Sequence, residues 1–127
     1  MIKKIDHLGI FVRDLEAACR IYTEQFGLPR RDASVKGPNG RTIRVAFLQV
    51  GETSIELLEW PERVDQWGEG INHIAFEVDD IEQHLADLVT AGVPVEDETP
   101  RRGAEADKIA FLRREAADGV RIELCQM

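Results

Sequence analysis

Apolar positions alternate with polar ones from Ile5 to Val12. Ile5, His7, Gly9 and Phe11 fall on one side and Leu8, Ile10 and Val12 on the other, the period of a strand. The period then changes. Leu15, Ala18, Cys19, Tyr22 and Phe26 recur at three- and four-residue intervals, which predicts an amphipathic helix over 15–26. Asp14 stands at its N-cap with Glu16 in the first turn, Gly27 closes it and Pro29 follows. An irregular strand over 30–35, a turn over 36–40 and two strands over 42–50 and 53–59, joined at Gly51-Glu52, complete a βαβββ unit. Residues 61–69, rich in charge and holding Pro61, read as a linker. A second unit follows, with a strand over 71–78, a helix over 81–91 capped by Asp80 and ended by Gly92, and a short strand over 93–96. After a polar loop over 100–105, strands over 107–112 and 120–125 flank a turn over 116–119.

The second unit is a copy of the first. Ile5-Asp6-His7-Leu8-Gly9-Ile10 aligns with Ile71-Asn72-His73-Ile74-Ala75-Phe76 at an offset of 66 residues (71 − 5), and the match runs on without a gap to Glu16 and Glu82. His7/His73, Val12/Val78, Asp14/Asp80 and Glu16/Glu82 are identical pairs. Ala46-Phe47-Leu48 returns as Ala110-Phe111-Leu112, and Ile55-Glu56-Leu57 as Ile122-Glu123-Leu124. A unit of roughly 60 residues is therefore present twice. The 127 residues read as a single domain, 1–127, built of repeats 1–60 and 70–127. Each half is too small to bury a core alone, so the two are expected to share one.

Each unit carries one His on its first strand and one Glu on its last. The aliphatic neighbours of Glu56 and Glu123 face a core, which turns each carboxylate to the opposite face. Taken singly, such a Glu points to solvent and such a His is structural. Occurring twice at matched positions, they form the donor set of a pseudosymmetric metal site, provided the units pack about a twofold axis. Imidazole with carboxylate suits Zn, Ni, Co, Mn or Fe(II). His84 has no counterpart in the first unit and reads as a surface residue, while Asp14 and Asp80 are explained as helix caps.

Composition narrows the partners. No apolar run approaches the ~20 residues of a membrane span, and the start of the chain has no signal-peptide pattern. Cys19 and Cys125 show no paired spacing, which favours a reducing cytoplasm over a disulfide framework. A formal charge of −8 argues against nucleic acid. Local basic pairs at Arg30-Arg31, Arg101-Arg102 and Arg113-Arg114 leave room for a small anionic ligand.

The repeated arrangement resembles the vicinal-oxygen-chelate (glyoxalase-like) superfamily over essentially the whole chain. The resemblance implies an α+β fold, an open cup-shaped eight-stranded mixed sheet made from two βαβββ units with helices outside. Within that superfamily the chain is most similar to methylmalonyl-CoA epimerases. Val50-Gly51-Glu52-Thr53-Ser54-Ile55-Glu56-Leu57-Leu58-Glu59, Gly68-Glu69-Gly70-Ile71-Asn72-His73 and Gly119-Val120-Arg121-Ile122-Glu123-Leu124-Cys125 carry that similarity. Carried over residue by residue, the family's ligands for one divalent ion per chain (Co, Ni, Zn, Mn or Fe) fall on His7, Glu56, His73 and Glu123. Glu123 is the expected base, with Glu56 facing it across the reacting carbon. A small acyl thioester or related carbonyl compound is the implied substrate, and a homodimer the implied assembly. A lactoylglutathione lyase uses the same ligand set and is the second reading. A non-catalytic binding protein of the bleomycin-resistance type, which lacks that set, is the third. The chain departs from the epimerases at the short Trp60–Trp67 stretch, at Gly103-Ala104-Glu105-Ala106, at Arg113-Arg114-Glu115 and at Asn72.

Overall fold

A computed structural model describes all 127 residues. The class is α+β, with seven strands in a mixed sheet. The backbone forms two compact units, His7–Asn72 and the pair of segments Met1–Asp6 and His73–Met127.

In the first unit β1 (Ile2–Val12, whose opening residues count with the other unit) pairs in parallel with β4 (Thr53–Glu59). β3 (Thr42–Val50) runs antiparallel to β4, and β2 (Arg30–Lys36) antiparallel to β3. Helix α1 (Leu15–Arg20) begins where the Asp14 carboxylate accepts the Ala17 N–H at 3.1 Å. The Leu15 N–H, a second donor with no partner inside the helix, goes to Glu59 at 2.9 Å. The predicted helix over 15–26 holds its α form only to Arg20 and continues as a π-turn, Ile21–Gln25. There the Thr23 hydroxyl donates to the Cys19 carbonyl at 3.1 Å, a competing bond that loosens the regular ladder. Leu15 and Cys19, four residues apart on one helical face, pack on Ala46, Leu48 and Leu57.

The second unit repeats this construction. β5 (Ile71–Val78) is parallel to β7 (Arg121–Gln126), which is antiparallel to β6 (Lys108–Phe111). Helix α3 (Ile81–Thr90) is capped by Asp80, which accepts the Gln83 N–H at 3.2 Å, and its Ile81 N–H goes to Gln126 at 2.9 Å. Ile81 and Leu85 occupy the positions of Leu15 and Cys19 and pack against Val78, Ala110, Ile122 and Leu124. Fully burying a side chain of that size contributes about 1.5–3 kcal/mol. Both helices end at glycines with left-handed backbone, Gly27 at φ +66° and Gly92 at φ +80°, a region closed to most side chains.

Two expectations need correction. The strand expected over 93–96 is a single bridge, Val95 to Leu112, so seven strands stand where eight were expected. Pro94 has no N–H to give a ladder, and the Asp97 carboxylate takes the Phe111 N–H at 2.9 Å in place of a backbone partner. The stretch read as a linker over 61–69 contains a helix, α2 (Pro61–Trp67), with proline at its first position, where a missing N–H costs nothing. Each helix packs on the strands of its own unit.

Candidate functional site

The strand registers decide which side chains meet. In the first unit His7 is level with Ser54, and Gly9 with Glu56. The pleat therefore puts His7 and Glu56 on one face as diagonal neighbours, and His7 Nε2 lies 3.3 Å from Glu56 Oε1. On the far side of Glu56 stands Phe47 of β3, whose ring meets the His7 imidazole edge-on at 5.9 Å. Gly9 puts no side chain beside the carboxylate.

The second unit builds the same thing. His73 is level with Arg121 and Ala75 with Glu123. His73 Nε2 lies 3.2 Å from Glu123 Oε1, and Phe111 flanks Glu123 while meeting His73 edge-on at 5.3 Å. All four polar side chains are buried, from 2% exposed for His73 to 6% for Glu56. The predicted residues are thus brought together as two His–Glu pairs, His7 with Glu56 and His73 with Glu123.

The donor set fits a divalent ion. Two ligands each about 2.1 Å from one ion stand about 3.0–3.4 Å apart at octahedral to tetrahedral angles. Both observed separations, 3.3 and 3.2 Å, fall in that window.

Arg31 and Arg101 belong to the basic pairs read from the sequence, but their place on the phenylalanine rings was not foreseen. Arg31 of β2 lies over the Phe47 ring at 4.9 Å and donates to Gln49 at 2.6 Å and to Ser54 at 3.3 Å. In the second unit the guanidinium on the corresponding ring belongs to Arg121. It sits 3.6 Å from the Phe111 centroid, 8% exposed, and donates to Glu96 at 2.7 Å. Arg101 reaches the same ring at 5.6 Å and pairs with Asp97 at 3.3 Å. The repeated Ala-Phe-Leu triplets were the available signal for the two phenylalanines. The arginines come from non-equivalent strands, so no repeat announced them. His84 is half-buried rather than a plain surface residue, with Nε2 2.6 Å from the N-terminal nitrogen. Cys19 and Cys125 are buried and form no disulfide, and burial pushes the Cys19 thiol up.

Residues 4–124 match the family model of the Glyoxalase/Bleomycin resistance protein/Dioxygenase superfamily, and the chain belongs to that superfamily. Among its relatives is an uncharacterised Bacillus subtilis protein, YqjC, 32% identical over 98% of this chain and 93% of that one. The ethylmalonyl-CoA/methylmalonyl-CoA epimerase of Cereibacter sphaeroides is 31% identical over the full length of both chains. Among solved structures, a variant of the Streptomyces coelicolor methylmalonyl-CoA epimerase in complex with 2-nitronate-propionyl-CoA superimposes with a TM-score of 0.88. It is 31% identical over 99% of this chain and 95% of that one.

Proposed function

We propose that this chain is a metal-dependent epimerase acting by proton abstraction next to a thioester carbonyl, like the methylmalonyl-CoA epimerases. His7, Glu56, His73 and Glu123 hold one divalent ion per chain, of the group Co, Ni, Zn, Mn or Fe. The carrying observation is the duplicated buried pair, one imidazole and one carboxylate at ligand spacing in each unit, 3.3 and 3.2 Å. The full-length similarity to epimerases supports the choice of reaction.

When bound, a divalent ion supplies Lewis-acid stabilisation of negative charge growing on a carbonyl oxygen. The chain supplies the proton transfers. Inverting a carbon next to a carbonyl requires one group to take the proton from one face and another to return it on the other. Glu123 serves as the base and Glu56 returns the proton. Each carboxylate stands between a small residue and a phenylalanine on the adjacent strands, Gly9 and Phe47 around Glu56 and Ala75 and Phe111 around Glu123. The small residue admits the reacting carbon, and the ring keeps bulk water from the carboxylate. The imidazoles of His7 and His73 orient the carboxylates at their sides.

The test is one metal-loaded sample given two substrates. Deuterium from solvent should enter methylmalonyl-CoA, while the methylglyoxal–glutathione adduct should not turn over. The reverse outcome makes the chain a lactoylglutathione lyase, and neither outcome makes it a binding protein.

A further inference from the structure

Arg121 has no part in the proton chemistry, yet the second unit buries it beside the His–Glu pair. It is 8% exposed, level with His73 and two residues before Glu123, so all three side chains leave the sheet on one face. A buried cation is stable only where other groups replace its water. Glu96 accepts from its guanidinium at 2.7 Å, and the guanidinium carbon lies 3.6 Å from the Phe111 ring centroid, the contact distance of two flat groups. The segment that supplies Glu96 also grips the backbone under the ring. The Phe111 carbonyl accepts from the N–H groups of Glu96 and Asp97 at 2.9 and 3.1 Å, and the Phe111 N–H donates to the Asp97 carboxylate at 2.9 Å. In the first unit a complete strand, β2, runs along Phe47 instead. Glu96 and Asp97 also each hold one of the two guanidiniums that lie against the Phe111 ring, Arg121 and, at 5.6 Å, Arg101.

Phe111 is in turn a wall for His73. The two rings meet at 88° with centroids 5.3 Å apart. The torsion that turns an imidazole about its own axis is broad rather than confined to narrow wells. What packs on the ring therefore decides where its nitrogens point, and a wall can fix a ring only if the wall itself is fixed. His73 is 2% exposed, and its Nε2 is the atom that stands 3.2 Å from Glu123 Oε1. We propose that Arg121 is a positioning residue: together with Glu96 it clamps the Phe111 ring, and the ring holds the His73 imidazole with Nε2 toward Glu123, ready to take an ion. The purpose of that orientation rests on the metal-dependent reading above, whereas the clamp exists without a metal. The first unit has no equivalent. Ser54 stands where Arg121 does, and the exposed Arg31 lies farther from its ring, at 4.9 Å.

The test is read first on the metal-free full chain by proton NMR. The ring current of Phe111 displaces the His73 imidazole resonances, and Phe111→Leu sets the size of that displacement. In Arg121→Leu the His73 resonances should move toward their positions in Phe111→Leu and broaden, while those of His7 stay in place. Arg31→Leu should leave the His7 resonances unchanged. Leu85→Ala, in the apolar cluster on the other face of the sheet, destabilises at least as much and should move neither imidazole, which separates positioning from a general loss of stability. Arg121→Lys keeps the charge but not the flat contact, so it should recover unfolding stability more than it recovers the His73 resonances. The chain loaded with Co²⁺ is read second. Arg121→Leu should retain the ion about ten- to a hundredfold less well against a chelator, the range for loss of an outer-shell partner, and Leu85→Ala as well as the parent. Unmoved His73 resonances in Arg121→Leu, an equal movement in Leu85→Ala, or moved resonances with unchanged Co²⁺ retention would each overturn the positioning role. A chain that holds no Co²⁺ but shows the His73 movement would sink the metal reading alone.

Discussion

The two units hold the same chemical pair in different supports, and the difference separates what the duplicated chemistry needs from what each copy adds. Both put a His and a Glu on one face, a small residue on one side of the Glu and a phenylalanine on the other. Both tie the first N–H of their helix to a side chain three residues beyond the Glu, Glu59 in one and Gln126 in the other. Around that common frame they diverge. Level with His7 stands Ser54, whereas level with His73 stands the buried Arg121. The first unit alone is followed by α2 with its two indoles and has a complete strand, β2, along β3; the second has two isolated bridges, Val95 to Leu112 and Arg101 to Ile109, in the corresponding place. A duplicated site with unlike surroundings suits a reaction in which two carboxylates do opposite jobs on one carbon.

The strongest way to break this comparison is to remove an imidazole. His7→Ala and His73→Ala should each abolish activity and metal retention together. The loss should exceed the 10–100-fold typical of removing an outer-shell partner. If one variant retained full metal and activity, the copies would not be equivalent as ligands. Next come the carboxylates. Glu123→Gln keeps size and one oxygen donor but cannot accept a proton at neutral pH. Deuterium exchange per bound metal should fall about 10²–10⁴-fold, with metal content largely intact. Glu56→Gln should slow return of the proton to the opposite face. Inversion would then fall more than exchange, a contrast read by chiral analysis of product.

The arginines sharpen the contrast in stability. Arg121 is buried on Phe111 and bonded to Glu96, so Arg121→Leu should cost about 1.5–3 kcal/mol in urea unfolding. Arg31 is exposed, and Arg31→Leu should cost under about 1 kcal/mol. Equal costs would mean that burial is not what distinguishes them.

The smallest effect concerns the repeated Glu16 and Glu82. Hydrogen bonds from Arg30, at 2.8 and 2.9 Å, and from Arg44 hold Glu16 at about 2, below its ordinary 4.5. Lys108 lowers Glu82 in the same direction. A carboxyl lowered by folding stabilises fully above its unfolded value and loses that contribution as pH falls through its folded value. Unfolding midpoints between about pH 5 and 2 should therefore flatten slightly in Glu16→Gln and less in Glu82→Gln. A steeper fall in either variant would reverse the sign.

Much of this was legible because it is local or repeated. The bounds of β3, β4 and β5 coincide with the predicted 42–50, 53–59 and 71–78, since each is closed by a turn signal and carries a clear apolar pattern. Asp14 and Asp80 cap as expected. The His and Glu of each unit were picked by the repeat and are paired in space. What escaped is short or non-local. Helix α2 is seven residues long, too brief for periodicity to rise above its charge, although Pro61 followed by Glu62 is an N-terminal signature. The π-turn over Ile21–Gln25, where the Thr23 hydroxyl donates to the Cys19 carbonyl, leaves the apolar spacing of a helix unchanged. Arg31 and Arg121 reach their rings only through cross-strand register, which spacing along one strand does not contain.

The central claim is that two His–Glu pairs act as one site. Metal content per chain, measured by mass spectrometry of the native protein at saturating Co²⁺, tests it most directly. The account predicts one ion per chain, lost from the whole chain in His7→Ala and equally in His73→Ala. Two ions per chain, with each variant losing only one of them, would contradict it.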